Sequence, residues 1–328
     1  PIGGRGGDTL SMIPPFLEML KEKGRKPEDV PVTLFGVGMN VDAIDMASFI
    51  RSCLGPDVPF DLQSVNPWSI HHLSARKYRV GRAFILGDAA HLHSPTGGFG
   101  LNTGIGDAVD LGWKLAAVLR GWGYDALLDT FETERRPIHD YVMKLSIDNL
   151  GTQKFADSIT QQRLDEDVQL RKDFAAFIVE TKTRHYRSIA AQLGTGYFGS
   201  PLVSADEDRK GQPEDPTRYV PSASPGSRAP HVWLEPGVAI ADRFGQGFTL
   251  LHLGPEEMDL SSIVQAGAEA RFPLLVTRIR APEAYAIYGT RLVLVRPDHF
   301  VAWRGDAVPP DCSLLMAQVR GAAAVVSS

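Results

Sequence analysis

The chain has 328 residues, 43% hydrophobic and 22% charged, with a formal net charge of −5. That length suggests two or three domains of roughly 100–200 residues each, and the apolar fraction excludes a disordered chain. No run of about 18 apolar residues is present, so we expect no transmembrane helix, and the absence of basic clusters argues against nucleic-acid binding. Cys53 and Cys312 lack the spacing of a disulfide scaffold or a zinc site, so neither is expected.

The amino-terminal third predicts short elements. Phe16, Leu17 and Leu20 recur at helical spacing. A buried strand is predicted over 30–38 and a helix over 42–53, ended by Gly55 and Pro56. Further strands are predicted over 60–66 and, as a short and fully buried one, over 82–87.

The middle of the chain predicts helices, the first over 105–120. Its expected apolar face consists of Ile105, Ala108, Leu111, Leu115, Val118 and Leu119. Two more helices are predicted over 125–150 and 160–193. The Pro-, Gly- and Ser-rich stretch 200–230 is interpreted as a linker or long surface loop.

The last hundred residues predict a separate α/β domain. Its expected elements are strands over 247–253, 273–279, 291–295 and 299–304, the last two as a hairpin, with a helix over 259–270.

Residues 81–115 carry the most chemical information. Asp88 follows a predicted strand, where α/β sheets place ligand contacts, and a carboxylate there can accept hydrogen bonds from sugar or polyol hydroxyls. Pro95, Gly97, Gly98 and Gly100 then form a loop that lets backbone amides approach a flat or anionic ligand. The loop leads into a helix near Thr103, whose positive amino-terminal end favours negative charge. Each feature alone could be a turn or a cap, but their combination predicts a cofactor cradle.

These residues resemble a known family. The segment GRAFILGDAAHLHSPTGGFGLNTGIGDAVDLGWKLAAVLRG, with FETERRP after it, is similar to the second flavin motif of single-component FAD-dependent aromatic hydroxylases, the para-hydroxybenzoate/phenol hydroxylase group. The resemblance implies that Asp88 binds the ribityl chain of FAD. It also implies that the loop from Pro95 to Asn102 lies along the isoalloxazine ring, with Gly100, Leu101 and Asn102 at N1 and O2.

The same resemblance implies the reaction and its partners. NADPH or NADH would reduce FAD, and O2 would form a C4a-hydroperoxyflavin that hydroxylates a phenolic or other aromatic small molecule. We expect a cytoplasmic enzyme and a homodimer, with no membrane, nucleic acid or metal bound. The catalytic residues and the aromatic substrate are not identified by the sequence.

The carboxyl-terminal segments PGSRAPHVWL, DRFGQGFTLL and LVRPDHFVAWRG resemble the thioredoxin-like domain of this family's larger members. Because thioredoxin chemistry needs paired thiols and Cys312 is single, we expect a structural role for that domain. The resemblance therefore implies an α/β fold with α+β parts, a portion of a FAD-binding hydroxylase followed by a thioredoxin-like domain. We expect the end of a substrate-binding region over 1–75, the returning part of the FAD domain over 76–150, a helical substrate or dimer segment with linker over 151–215, and the thioredoxin-like domain over 216–328.

One part of the family pattern is not evident. No GxGxxG βαβ unit or mid-chain DG motif is found, since the Gly36 and Gly38 pair lacks the third glycine. The resemblance covers about residues 45–328, and the chain begins with Pro1 rather than Met, so we expect it to be part of a longer protein. The alternative is a non-catalytic fragment or interaction module.

Two further sets of residues are candidates for the site. Trp68 could line an aromatic pocket or be a core residue. His91 and His93 lie near the predicted flavin loop, where either a proton relay or a structural role is open, and no carboxylate is found at metal-ligand spacing to them.

Overall fold

The structure is a computed structural model, and it describes residues 2–3, 22, 24, 34–35, 44–55, 58–66, 69–205 and 211–322. The chain divides into two compact units, residues 1–70 and 71–328, and each is considered by itself. The helix suggested by Phe16–Leu20, most of the strand predicted over 30–38, and the Gly36 and Gly38 pair lie outside the described residues. None of the helices in the described part of the chain is long and apolar enough to cross a membrane.

The first unit contains a short parallel pair, β1 (Ile2–Gly3) with β2 (Leu34–Phe35), and the helix α1 (Met46–Leu54). The Asp45 carboxylate caps α1 by accepting from the backbone N–H groups of Ala47 and Ser48, and Gly55 ends it at φ 95°. The helix predicted over 42–53 is therefore confirmed for its described residues. The strand predicted over 60–66 is wrong, because this stretch is almost wholly exposed and has no strand partner among the described residues.

The second unit begins with short strands and continues with helices. Its first half consists of β3 (Leu73–Ser74), β4 (Arg79–Val80), β5 (Ala83–Phe84), a 3₁₀ turn (Gly87–Ala89), β6 (His91–Leu92), α2 (Phe99–Leu119), a 3₁₀ turn (Asp125–Asp129), α3 (Thr130–Asp157), α4 (Gln161–Glu166), α5 (Val168–Tyr186) and α6 (Ile189–Leu193). β3 pairs antiparallel with β6, and β4 with β5.

Several predicted bounds in this half are corrected by the structure. The strand predicted over 82–87 is limited to Ala83–Phe84 and is only half-buried, because its residues pair with a single short strand. The helix predicted over 105–120 begins six residues earlier, at Phe99, since the glycines of its first turns do not prevent helix formation. The helix predicted over 160–193 is three separate helices.

The buried face of α2 differs from the predicted one. Ile105 and Leu119 are exposed by 54% and 83%, and Leu111 is the one large apolar residue of the predicted face that is fully buried. The buried positions are mostly polar: Phe99, Thr103, Asp107, Asp110, Leu111, Lys114 and Ala117. The prediction failed because periodicity assumes that an interior face is apolar, and this helix instead turns paired charges inward.

The second half contains β7 (Trp233–Glu235), β8 (Val238–Ala239), a 3₁₀ turn (Ile240–Arg243), β9 (Phe248–Leu253), α7 (Ser261–Glu269), β10 (Leu274–Ile279), α8 (Pro282–Tyr288), β11 (Leu292–Val295), β12 (Val301–Gly305) and α9 (Cys312–Val319). The sheet order is β10-β9-β11-β12, with β9 and β10 parallel and the other pairs antiparallel. The strands and the helix predicted for the last hundred residues, including the hairpin, are confirmed. β9 and β11 are buried throughout and form the centre of its core.

The stretch 200–230 is not a free linker where it is described. Leu202, Val203, Ala223 and Ser227 are buried. The Ser227 carbonyl accepts from the backbone N–H of Val301 on β12, and the Gly226 N–H donates to the Val301 carbonyl. Its Pro- and Ser-rich composition correctly indicated irregular backbone, but these residues pack as part of the fold.

Candidate flavin site

Asp88 lies in the 3₁₀ turn that follows β5, and its side chain is exposed. Gly87 adopts φ 55°, a left-handed conformation that favours glycine. A Cβ atom on Gly104 of α2 would lie 3.3 Å from the Gly87 Cα, so the turn and the helix approach each other closely. The close packing of these two glycines fixes where the Asp88 carboxylate emerges.

The loop before α2 has the backbone geometry that a flat ligand requires. Gly97 and Gly98 have φ values of 102° and 69°, and a Cβ on Gly97 would collide with the Phe99 ring. Gly98 is the N-cap of α2 and offers no side-chain cap to the first-turn amides. The amino-terminal end of a 21-residue helix therefore presents its N–H groups and its positive dipole end to whatever the loop holds.

The other predicted flavin contacts lie along the same loop. Pro95 and Asn102 are exposed, Leu101 is 78% exposed, and Gly100 is half-buried. The Asn102 side-chain amide donates to the Gly98 carbonyl at 3.0 Å, which closes the first helical turn. The structure packs the turn that carries Asp88 against Gly104 of α2, the helix that follows the loop, whereas Trp68 lies outside the described residues.

Beside this turn lies a buried group that we call the Asp107 cluster: Asp107, His91, Arg135, His139 and Tyr78. The Asp107 carboxylate accepts four hydrogen bonds, from the Gly87 backbone N–H at 2.9 Å, His91 Nε2 at 2.8 Å, His139 Nε2 at 3.0 Å and Arg135 Nε at 2.8 Å. Both of its oxygens are saturated, so Asp107 ties the turn that carries Asp88 to α2 and α3.

The hydrogen-bond pattern sets the protonation states of the cluster. Burial alone would raise the pKa of Asp107, but the hydrogen bonds from His139 and His91 and the charge of Arg135 hold it well below the ordinary value. Burial lowers the pKa of His139 to about 4 despite the attraction of Asp107. A neutral His139 donates from Nε2 to Asp107 and accepts at Nδ1 from the Tyr78 hydroxyl, 2.7 Å away.

His91 and His93 lie beside this cluster and the loop, as their positions in the sequence suggested. Their rings stack in parallel with centroids 6.1 Å apart, and a Cβ on Gly100 would lie 3.6 Å from His93 Cε1. His91 Nδ1 and His93 Nε2 are buried and have no hydrogen-bond partner among the described residues. Burial also lowers the pKa of His93. Two buried imidazole nitrogens without a hydrogen-bond partner among the described residues therefore lie close to the candidate flavin loop.

Although no carboxylate stands at metal-ligand spacing to these histidines in the sequence, one lies beside His91 in the fold. Asp107 is 16 residues after His91 and brings His91 and His139 within metal-ligand distances of each other. Arg135 donates to the same carboxylate, however, and its positive charge would repel a cation. We assign the group to hydrogen bonding. The sequence signal that could have found it is the set of charged residues at i, i+3 and i+7 in an otherwise apolar helix: Asp107, Asp110 and Lys114.

The residues of the turn, the glycine loop and the first turn of α2 have the chemistry that FAD binding requires. The fit rests on the exposed carboxylate at the turn, the glycine loop that admits no Cβ at Gly97, and the uncapped helix end. Asp88 would hold the polyol chain, while the first-turn amides of α2 would face the pyrimidine edge, where reduced flavin gathers negative charge.

Comparison with known proteins agrees with this assignment. The FAD binding domain family matches residues 45–146, and the family described as aromatic-ring hydroxylase, C-terminal, matches residues 222–323. The chain therefore carries matches to both domains, in the order in which the sequence resemblance placed them, and its homologues are FAD-dependent aromatic monooxygenases.

Individual relatives in this hydroxylase family give the same result. The chain is 36% identical over 272 residues to the FAD-dependent monooxygenase apdD of Emericella nidulans, covering 77% of this chain and 43% of the relative. It is 35% identical over 287 residues to a tetracenomycin A2 monooxygenase-dioxygenase of Streptomyces glaucescens, covering 81% and 46%. The chain spans about half the length of the curated relatives it matches.

A solved hydroxylase-family structure supports the fold. The rebeccamycin biosynthetic enzyme RebC with reduced flavin superimposes with a TM-score of 0.75 at 37% identity, covering 86% of this chain and 53% of that one. The mixed helix-and-strand fold class, as a portion of a FAD-binding hydroxylase fold, is therefore confirmed.

Proposed function

We propose that this chain forms the flavin-facing half of a monooxygenase that hydroxylates a phenolic or polyketide-like aromatic substrate with NADPH or NADH and O2. The observation that carries the proposal is the close packing of the Gly87–Asp88 turn against Gly104 of α2, the helix whose uncapped amino terminus follows the glycine loop. Named relatives that act on tetracenomycin A2 and 4-methyl-5-nitrocatechol support an aromatic substrate class.

FAD, when bound, would supply the oxygen-activating redox chemistry, with the nicotinamide cofactor as electron donor. The residues of this chain would position it. The Asp88 carboxylate would accept hydrogen bonds from the ribityl hydroxyls, and the helix end at Phe99 would favour negative charge at the pyrimidine edge. His91 Nδ1 and His93 Nε2 are buried beside the loop without a hydrogen-bond partner among the described residues, and they would accept a hydrogen bond from the ligand or from water.

The second domain is proposed to be thioredoxin-like and structural. The strand order β10-β9-β11-β12, with a helical crossover between the parallel strands β9 and β10, supports the first part. Cys312 is a free cysteine whose Sγ lies 3.4 Å from the Pro309 carbonyl oxygen, and no disulfide partner for it is present among the described side chains, which supports the second part. The homodimer and the cytoplasmic location stay predictions.

The test is flavin binding by the full-length gene product, followed by substrate-dependent oxidation of NADPH or NADH. We expect a yellow protein with stoichiometric FAD. Asp88→Ala should weaken FAD binding by about 1–3 kcal/mol, the range for a lost hydrogen bond to a charged group, and should leave the unfolding midpoint of the flavin-free protein unchanged. The matched control is Asp140→Ala, because Asp140 is an exposed aspartate on α3 away from the loop.

Two results would contradict the proposal. Colourless protein that takes up no added FAD would favour the alternative of a non-catalytic interaction module. Equal FAD affinity in Asp88→Ala and wild type would show that the exposed carboxylate is only part of a turn.

A further inference from the structure

A second buried ionic group joins the region matched by the FAD binding domain to the region matched by the hydroxylase C-terminal domain. We call it the Arg296 cluster: Arg296, Glu134, Asp110, Lys114 and Asp298. The Arg296 guanidinium, from the turn after β11, donates to the two Glu134 oxygens at 2.6 and 2.8 Å and to Asp110 at 3.1 Å. Arg296 is thus a residue of the second domain inserted between α2 and α3.

The rest of the cluster completes the pairing of these charges. Lys114 donates to Asp110 at 2.7 Å and to Glu134 at 2.6 Å, and Asp298 accepts from Arg296 at 2.7 Å. The side chains of all five residues are at most 1% exposed. The rings of Trp113 and Tyr197 cover the guanidinium, with centroids 5.1 and 4.7 Å away.

Removing Arg296 would leave three buried carboxylates with one cation. Buried charges are tolerated only when they are paired, and removal of one partner is far more costly than loss of an exposed ion pair. Lysine could not replace the arginine fully, since one ammonium group cannot reproduce the forked contact with Glu134 while also reaching Asp110 and Asp298.

The cluster is connected to the flavin turn through both helices. Glu134 immediately precedes Arg135, whose guanidinium donates to Asp107 at 2.8 Å and to the Thr103 carbonyl at 3.1 Å. Asp110 lies one turn beyond Asp107 on the same buried face of α2. Because Asp107 also accepts from the Gly87 N–H, a shift of α3 against α2 would move the turn that presents Asp88.

We propose that Arg296 is a positioning residue of the flavin site, by which the carboxyl-terminal domain fixes α2 against α3 and so holds the Gly87–Asp88 turn in place. This inference rests on the proposed function, because it takes the Asp88 turn as a flavin contact. It gives the second domain a task that needs no thiol chemistry.

The experiment compares Arg296→Met, Arg296→Lys and Arg291→Met in the full-length gene product. Arg291 is the matched control, an arginine of the same domain whose ion pair with Glu256 is at the surface. We measure the FAD dissociation constant of the folded protein and amide hydrogen exchange over residues 84–90 without FAD. Arg296→Met should weaken FAD binding at least about tenfold, Arg296→Lys about threefold, and Arg291→Met should match wild type.

The exchange measurement separates a positioning role from a structural one. We expect faster exchange at the Gly87 amide in both Arg296 variants and no change in Arg291→Met. If Arg296→Met does not fold, Arg296→Lys alone decides the outcome. Unchanged FAD affinity and unchanged exchange in a folded Arg296 variant would overturn the inference. Failure of the wild-type protein to bind FAD would instead refute the proposed function, and the exchange result would remain a separate test of the coupling.

Discussion

The two buried ionic clusters are built in opposite ways. The Asp107 cluster surrounds one anion with donors that all come from residues 78–139, and the charges of Asp107 and Arg135 balance. The Arg296 cluster surrounds cations with three carboxylates drawn from residues 110–298. Burial, together with the neighbouring Glu134 carboxylate, raises the pKa of Asp110 to about 8, whereas the pKa of Asp107 is held low. The first cluster is a local brace, and the second is a long-range brace whose Asp110 carboxyl is largely protonated at neutral pH.

The strongest test of this contrast removes the centre of the local brace. In Asp107→Asn, an NH2 group replaces one carboxylate oxygen and faces N–H donors that it cannot accept from. Arg135 is then buried without its anion. We expect a loss of about 3–5 kcal/mol in the free energy of unfolding, measured by denaturant titration at neutral pH. Asp140→Asn, a change of the same chemistry at an exposed site on α3, should alter it by less than about 0.5 kcal/mol. A similar small change in both variants would mean that Asp107 is not a brace.

The sequence predicted features formed by contiguous residues, but it did not predict either buried cluster. Asp88, the glycine loop and the helix after it are contiguous, so their joint placement could be inferred from order and spacing alone. The Asp107 cluster needs α3 to fold back on α2, and Arg296 is 162 residues from Glu134 in the chain. No periodicity argument joins residues so far apart, and the rule that interior faces are apolar pointed to the wrong face of α2.

The strands of the carboxyl-terminal region were easier to predict, because each is a continuous run of residues in the sequence. Continuous apolar runs such as Phe248–Leu253 and Leu292–Val295 are typical of strands buried on both faces, and both strands are fully buried. By contrast, the strand predicted over 82–87 was a run of only six residues that ends in the turn at Gly87. Its pairing is with a short neighbour, and the structure keeps only Ala83–Phe84 as a strand.

Acid should affect the Asp107 cluster through His139. The pKa of this residue is about 4 in the folded protein and near 6.5 when unfolded, so its stabilising contribution is complete above pH 6.5 and is lost as the pH falls towards 4. Wild-type protein should lose about 2 kcal/mol from this residue between pH 8 and pH 5. His139→Gln should show a correspondingly shallower decline when unfolding is followed across that range.

The control for this pH dependence is His71→Gln, since His71 is an exposed histidine of the same unit. It should keep the wild-type slope. If His139→Gln and wild type decline in parallel, then His139 is not held neutral by burial, and the balanced charge count of the Asp107 cluster must be revised.

The smallest effects should come from two glycines of α2 that meet different surroundings. A Cβ on Gly104 would approach the Gly87 Cα to 3.3 Å, and Gly87 cannot retreat without stretching its hydrogen bond to Asp107. A Cβ on Gly112 would meet no atom within 4 Å. Gly112→Ala should therefore stabilise the helix by about 0.5–1 kcal/mol. Gly104→Ala should destabilise the protein by about 1 kcal/mol, because the steric clash with Gly87 outweighs the higher helix propensity of alanine.

The same glycine pair tests whether the local brace positions the flavin turn or only supports the fold. Thermal unfolding gives the stability of each variant, and FAD titration gives its affinity. Gly104→Ala should weaken FAD binding because it displaces the turn that carries Asp88, and Gly112→Ala should not. Equal FAD affinity in the two variants, despite opposite changes in stability, would show that the turn adapts freely and that the close contact between Gly87 and Gly104 serves packing alone.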